Sequence, residues 1–313
     1  MQAVVIRDEA LAWEQRDDPV PGDTEVLVAV RAAGLNGADL VQRRGFYPAP
    51  PGSPKDIPGM ELAGEVTAVG RQVTRVDVGA RVMAVVGGGG QATMCVVDES
   101  HVIPVPDGLG WPEAGGFPEV FSTAYDALFS QAALSSGDRL LVTGAAGGVG
   151  TAGVQLGAAT GATVVASVRD QKRRDEVAAL GAHHVIDPAQ VAEHGPYDVV
   201  LELVGAPSLE TALPHLATGS RVVVIGMGAG ASLSLNLFSL MSTRSRISGS
   251  TLRARSRTEK ANVAAGVIAH VLPHLASGRI SVPIHQTFAM SEAAAAYEHF
   301  AAGSKLGKIV LVA

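Results

Sequence analysis

Over roughly the first 120 residues, apolar positions come in short runs that alternate with polar ones: residues 3–6, 25–32, 61–69, 81–86 and 92–97. Period two, β-branched residues and Gly or Pro between the runs predict an all-β region. The segment 76–82 (VDVGARV) reads as a turn entering a strand. Near Trp111 the spacing turns helical, and 122–134 carries an amphipathic helix pattern. From 139 the grammar changes. An apolar run at 139–143 (RLLVT) enters a glycine-rich turn, a small-residue helical segment at 151–160 follows, and a second apolar run occupies 163–168 (TVVASV). Residues 172–180 predict a helix stopped at Gly181, and strands are predicted at 184–186, 198–204 and 221–225, with a helical segment between the last two. Strands alternating with helices predict a parallel, doubly wound sheet. Residues 232–237 (SLSLNL) alternate strictly, as a half-buried segment does. A long helix is predicted at 258–277, bent at Pro273, and another is predicted to start with Ser291 as its N-cap. The run 308–312 (KIVLV) predicts a closing strand that returns to the N-terminal domain.

The turn at 144–150 (GAAGGVG) carries the clearest chemistry. Strand before, helix after and strand again form a βαβ unit of the dinucleotide-binding kind. One glycine permits the tight turn, one lets the backbone approach a pyrophosphate, and one lets helix pack on strand. The helix start offers free N–H groups and a positive dipole end to phosphate. An NAD site places an acid about 20 residues further on, to accept from the ribose 2′-OH. Arg169 stands there, with Ser167 before it and Lys172, Arg173 and Arg174 after. Cations and a hydroxyl suit a 2′-phosphate, so the segment predicts NADPH. The competing reading makes the basic residues a solvated helix start, with Asp170 doing the acid's work one residue late.

Composition removes several classes. The 313 residues suffice for two domains. A net charge of −6 argues against a nucleic-acid surface, and the basic residues between 244 and 257 form only a local cluster. A single cysteine, Cys95, forbids an internal disulfide and suits a reducing cytoplasm. The N-terminal stretch lacks a signal-peptide pattern, and no run reaches the ~18 apolar residues of a membrane span. None of the 9 histidines stands at a ligand-like spacing to Cys95, and His183 and His184 precede a strand, so no zinc site is expected. None of Tyr47, Tyr125, Tyr197 and Tyr297 has a lysine four residues on, which excludes the short-chain dehydrogenase signature.

The whole length resembles the zinc-free medium-chain dehydrogenase/reductases of the zeta-crystallin-like quinone oxidoreductase type. The resemblance is carried by GLNGADLVQRRGFYPAPPG (34–52), PGMELAGEVTAVG (58–70), GGGGQA (87–92), FSTAYDAL (121–128), GAAGGVGTAGVQL (144–156), LGAHHVID (180–187) and GKIVLV (307–312). It implies an α/β protein: a GroES-like, mostly-β catalytic domain from 1–121 and 275–313, and a doubly wound Rossmann NADPH-binding domain from 122–274. Zinc enzymes of the superfamily place a cysteine where Asn36 stands and a histidine where Met60 stands. The resemblance further implies that Asn36, Asp39 and Tyr47 line the catalytic pocket. It implies cofactor contacts from Asn36, Thr123, Ala146, Gly147, Gly148, Val149, Gly150, Ser167, Arg169, Lys172, Val204, Gly205, Gly226, Met227, Gly228, Thr251, Leu252, Arg253 and Lys308. It also implies a homodimer. A carbonyl accepting hydride needs an electrophile to hold the alkoxide, whereas a quinone spreads the charge over its ring. The expectation is therefore an NADPH-dependent quinone reductase of the cytoplasm. An enone or enoyl double-bond reductase, with Tyr47 as proton donor, and a non-catalytic NADPH-binding protein are the alternatives.

Overall fold

Strand Glu25–Gly34 buries Val26, Val28, Val30, Ala32 and Ala33, and it anchors the first of two large sheets. In this computed structural model, which describes residues 1–313, that sheet has seven strands. Their order is Ile284–Ala289, Lys308–Val312, Glu25–Gly34, Glu61–Val69, Arg81–Val85 and Val102–Pro104, with Met94–Asp98 paired to Glu25–Gly34. Alternation decides which side chains meet: Leu62, Val66, Val82, Ala84, Val97, Tyr297 and Leu311 close one core with the central valines. The C-terminal strand runs antiparallel to Glu25–Gly34, with Leu311 opposite Ala33, so the chain end does return to the N-terminal sheet.

The second sheet is parallel throughout, in the order His184–Ile186, Thr163–Ser167, Arg139–Val142, Tyr197–Glu202, Leu216–Val224 and Arg246–Gly249. Its central strands, Thr163–Ser167, Arg139–Val142 and Tyr197–Glu202, are largely apolar and buried, as strands of a sheet covered on both faces are. Arg139–Val142 and Tyr197–Glu202 flank the point where strand order reverses, where ligands of such sheets bind. Helix Gly148–Thr160 lies against it through Gly153 and Gly157, where a Cβ would come within 2.7 Å of Leu201 and 2.6 Å of Leu140.

The chain divides into Met1–Ser122 with Leu252–Gly303 and Lys308–Ala313, and Thr123–Thr251 with Ser304–Gly307. The second boundary thus falls at 251 and not at 274. Residues 252–274 join the first unit because Leu252, Val263 and Ala264 pack beside Val85, His101 and Ile103.

Several elements differ from their expected form. The expected helix at 122–134 begins earlier, as Pro118–Tyr125, and widens into a π-helical stretch, Asp126–Gln131. The long helix at 258–277 is two helices, Arg257–His270 and Leu272–Ala276, parted at Val271 just ahead of Pro273. Ser256, not a residue inside, caps the first of them through Glu259 N–H. Ser291 is no cap either, since it sits inside the turn Met290–Glu292 that precedes helix Ala293–Ala302. Residues 232–236 do alternate in burial but form no strand.

Candidate active site

In the second unit, the glycine-rich turn resolves the roles of its glycines. Gly144 adopts φ +57°, and Gly147 N–H closes the turn onto Gly144 carbonyl at 3.0 Å. Gly147 is then the N-cap of helix Gly148–Thr160, and no side chain caps that helix. The first N–H groups of a helix lack intrahelical partners, and the dipole makes this end positive, so an anion fits there. A Cβ on Gly150 would lie 2.5 Å from Gly144 carbonyl oxygen and 2.6 Å from Ala145 Cα, so Gly150 is the packing glycine. A Cβ on Gly147 would meet only Gly144 carbonyl, at 3.4 Å, so the space over this glycine is open. Ala146, Gly148 and Val149 are half-buried along the same turn.

The other loops at this end of the sheet are tied to it by Glu202, which is fully buried. One of its carboxylate oxygens accepts from Thr143 hydroxyl at 3.0 Å, Val204 N–H at 2.7 Å and Gly205 N–H at 2.8 Å. Leu203 N–H donates in turn to Thr143 hydroxyl at 2.8 Å. The Glu202 main-chain carbonyl accepts from Ile225 and Gly226 N–H. Met227 and Gly228 follow, both exposed.

Past strand Thr163–Ser167 the charges sort themselves. Ser167 is buried, and its carbonyl accepts from Ala145 N–H. Arg173 pairs with Glu176 at 3.0 Å and donates to Ser304 carbonyl at 2.9 Å. Arg174 pairs with Asp187 at 2.6 Å and donates to Val168 carbonyl. Asp170 accepts from Ser304 hydroxyl and from Lys172 N–H, which hold its carboxyl below the usual range. Arg169 and Lys172 project from this segment as exposed cations. Thr123 is buried and Thr251 exposed.

The first unit holds a buried polar cluster. Lys308 ammonium donates to Leu35 carbonyl and Asn36 Oδ1, each at 2.7 Å, and to Glu61 at 2.6 Å. Asn36 Nδ2 donates to the same Glu61 oxygen at 2.9 Å, and Glu119 N–H donates to the other at 2.8 Å. An ammonium only donates and a carboxylate only accepts, so the Asn36 amide has one orientation. Asp39, fully buried, accepts from Asn36 N–H at 2.8 Å and Gly59 N–H at 3.3 Å and holds the start of helix Gly37–Arg43. Burial pushes its carboxyl up to about 6, against the pull of Asn36 N–H, Lys308 and Arg253. Arg253 clamps the neighbouring loops, donating to Gly87 carbonyl at 2.7 Å, Tyr47 carbonyl at 3.0 Å and Gln42 Oε1 at 2.7 Å. Its guanidinium lies 5.2 Å from the Tyr47 ring centroid. Tyr47 is half-buried, which pushes its phenol up.

The structure thus assembles Asn36, Asp39 and Tyr47 within one unit and the turn residues with Ser167, Val204, Gly205 and Gly226 in the other. Lys308, Leu252 and Arg253, also expected to contact the cofactor, are buried with partners of their own. Lys308 has spent its three protons inside the fold. Leu252 packs among apolar side chains, and Arg253 is engaged with the loops it clamps. Sequence shows that a cation is present but not what it is spent on. Glu61 and Glu202 went unsingled, although each is an acid in an apolar strand (ELAGEV, VVLELV), where a buried charge requires partners. Ser304 left no signal in the sequence at all.

Residues 148–265 match the family model of zinc-binding dehydrogenases, and residues 22–130 match that of the alcohol dehydrogenase GroES-like domain. A quinone oxidoreductase of Pseudomonas aeruginosa is 32% identical, over 97% of this chain and 96% of its own. A phenolphthiocerol/phthiocerol polyketide synthase of Mycobacterium tuberculosis is also 32% identical over 93% of this chain, which spans only 14% of that protein. Among solved structures, a mycobacterial quinone oxidoreductase superposes with a TM-score of 0.85 at 26% identity, covering 100% of both chains. The first sheet is therefore that of a GroES-like unit and the second that of a Rossmann unit.

Proposed function

The chain belongs to the medium-chain dehydrogenase/reductase family, and from that premise we propose that it is an NADPH-dependent quinone oxidoreductase that works without a metal. The observation that carries the reading is the uncapped start of helix Gly148–Thr160, with exposed Arg169 and Lys172 beyond the next strand. When bound, the nicotinamide supplies the hydride. The helix start and Gly147 hold the pyrophosphate, and Arg169 and Lys172 hold the 2′-phosphate. Glu202 keeps the loops carrying Val204, Gly205 and Gly226 in register. Asn36 has its amide fixed by Lys308 and Glu61, and its Nδ2 also lies 3.5 Å from Gly34 carbonyl, a long contact that a substrate oxygen would replace. Asp39 positions Asn36, and Tyr47 stacks on or hydrogen-bonds the quinone.

The donor set supports metal-free chemistry. Asn36 is an amide already held by Lys308 and Glu61, and Met60 is a buried thioether. Cys95 is the sole cysteine and is buried in the apolar core around Val26, Val28 and Val97, where burial pushes its thiol up to about 12. No three His, Cys, Asp or Glu side chains form a ligand-like group. A quinone, whose reduced form delocalises its charge, asks for no Lewis acid.

The match to part of a polyketide synthase favours one second reading, reduction of an activated C=C bond. We place the protein in the cytoplasm, in keeping with its lone cysteine; no helix is long and apolar enough to cross a membrane. We also propose a homodimer, on the strength of the helix Leu237–Thr243, which exposes Leu237, Phe238 and Met241. NADPH consumption is to be followed with para-benzoquinone and with an α,β-unsaturated ketone, with and without a chelator. Quinone-dependent consumption that chelation leaves unchanged is expected. Consumption with the ketone alone would transfer the protein to the double-bond reductases, and loss of activity on chelation would end the metal-free assignment.

A further inference from the structure

Whether a nicotinamide site takes NADPH or NADH depends on what the end of its second strand offers the adenine ribose. A free carboxylate accepts from a 2′-OH and repels a 2′-phosphate, and free cations do the reverse. The segment after Thr163–Ser167 holds both kinds of group: Asp170 on one side, Arg169, Lys172, Arg173 and Arg174 on the other. Local sequence leaves the outcome open. A residue 134 positions away bears on it.

Ser304 hydroxyl donates to Asp170 Oδ2, whose other oxygen accepts from Lys172 N–H at 3.0 Å. Ser304 carbonyl accepts from Arg173 at 2.9 Å. The segment carrying Ser304 is fastened beside the phosphate turn as well, since Gly307 N–H donates to Ala146 carbonyl at 2.8 Å. The backbone at Ser304 is unusual. It adopts φ +53°, directly after Gly303 at +76°. Glycine takes that region freely, whereas a side chain there costs conformational energy. A serine in this place is strained backbone whose hydroxyl has a specific partner, the pattern expected where a side chain has a task.

We infer that Ser304 is a specificity-determining residue for the cofactor: it occupies Asp170 with its hydroxyl and Arg173 with its carbonyl, leaving Arg169 and Lys172 to meet a 2′-phosphate. This deepens the NADPH reading and rests on it. Asp170 keeps its charge, but Ser304 hydroxyl and Lys172 N–H each take up one of its acceptor sites, so the 2′-OH of NADH competes for a carboxylate that is already partly engaged. Arg174 is removed in the same way by Asp187. The residue acts through Asp170 and touches no reacting atom.

Dissociation constants for NADPH and NADH, measured by calorimetry without any acceptor, test this. Ser304→Gly is the variant of choice, because glycine suits the positive φ and removes the hydroxyl with its methylene while leaving the main-chain carbonyl that accepts from Arg173. The ratio of the NADH constant to the NADPH constant should fall about tenfold, the worth of one modest charge-assisted hydrogen bond. Adding Asp170→Asn to that variant should return the ratio to the wild-type value or above. In the free protein, carboxyl resonances should show Asp170 titrating higher in Ser304→Gly than in wild type. A wild type that prefers NADPH, with a Ser304→Gly ratio within about twofold of it, overturns this inference alone. A wild type with no preference overturns the NADPH reading and takes this inference with it.

Discussion

Asp39 shows how much a single buried side chain can carry. It is surrounded by Asn36 N–H, Gly59 N–H, Lys308, Arg253 and Glu61, and burial outweighs the attractive partners. A carboxyl whose folded pKa is raised, here to about 6 from 3.8, favours the fold while it is protonated. That contribution is complete below about pH 4, the unfolded value, and is lost as the pH climbs to about 6. The shift corresponds to something on the order of 2–3 kcal/mol. The advantage of wild type over Asp39→Asn should therefore narrow by about that amount between pH 4 and pH 7, read by urea unfolding. A gap that stays constant with pH would mean that Asp39 does not titrate in this range. The expectation that Asn36 and Asp39 line a pocket came only from their motif. That they are held by Glu61 and Lys308 was not, because those partners lie 25 and 272 residues from Asn36.

At the scale of elements, the helix after the phosphate turn separates two uses of glycine. Gly150→Ala drives a Cβ onto Gly144 carbonyl and Ala145 Cα, which are main-chain atoms with no room to yield. The helix gains propensity, but the overlap dominates, and a net loss of about 1–3 kcal/mol is expected in urea unfolding. Gly147→Ala meets nothing closer than 3.4 Å. It should leave stability within about 0.5 kcal/mol and weaken NADPH binding at least tenfold by calorimetry. Equal losses of stability in the two variants would refute this division of labour. The elements themselves were readable where the pattern has one dominant cause. Strands 139–143 and 163–168 are apolar on both faces, and their ends shift by one residue in the fold. Reading failed where tertiary packing chose the form. The π-helical stretch Asp126–Gln131 puts Asp126, Ala127 and Leu128 in the interior, and no local period announces it. The edge strand Arg246–Gly249 is polar and short, and only its pairing with Leu216–Val224 makes it a strand.

For the whole molecule, the two sheets follow from hydrophobic periodicity and order of elements, but the assembly needs surface information that a sequence hides. Helix Leu237–Thr243 exposes Leu237 at 66%, Phe238 at 76% and Met241 at 72%, side chains that a solitary chain gains nothing by presenting to water. Contiguous apolar surface of this kind marks an interface. The strand that follows, Arg246–Gly249, is hydrogen-bonded on one side only, so its other edge is open to pairing. Both features recur in a second copy, and a two-fold axis would bring each against its own image. A chain built this way should run at twice its mass in light scattering. Phe238→Asp combined with Met241→Asp places charges on the patch without touching the phosphate turn. That pair of substitutions should yield a monomer that still binds NADPH, because Gly147, Arg169 and Glu202 lie outside helix Leu237–Thr243. A wild type that is monomeric at all concentrations, or a doubly substituted chain that remains dimeric, would show that the exposed helix does not join two copies.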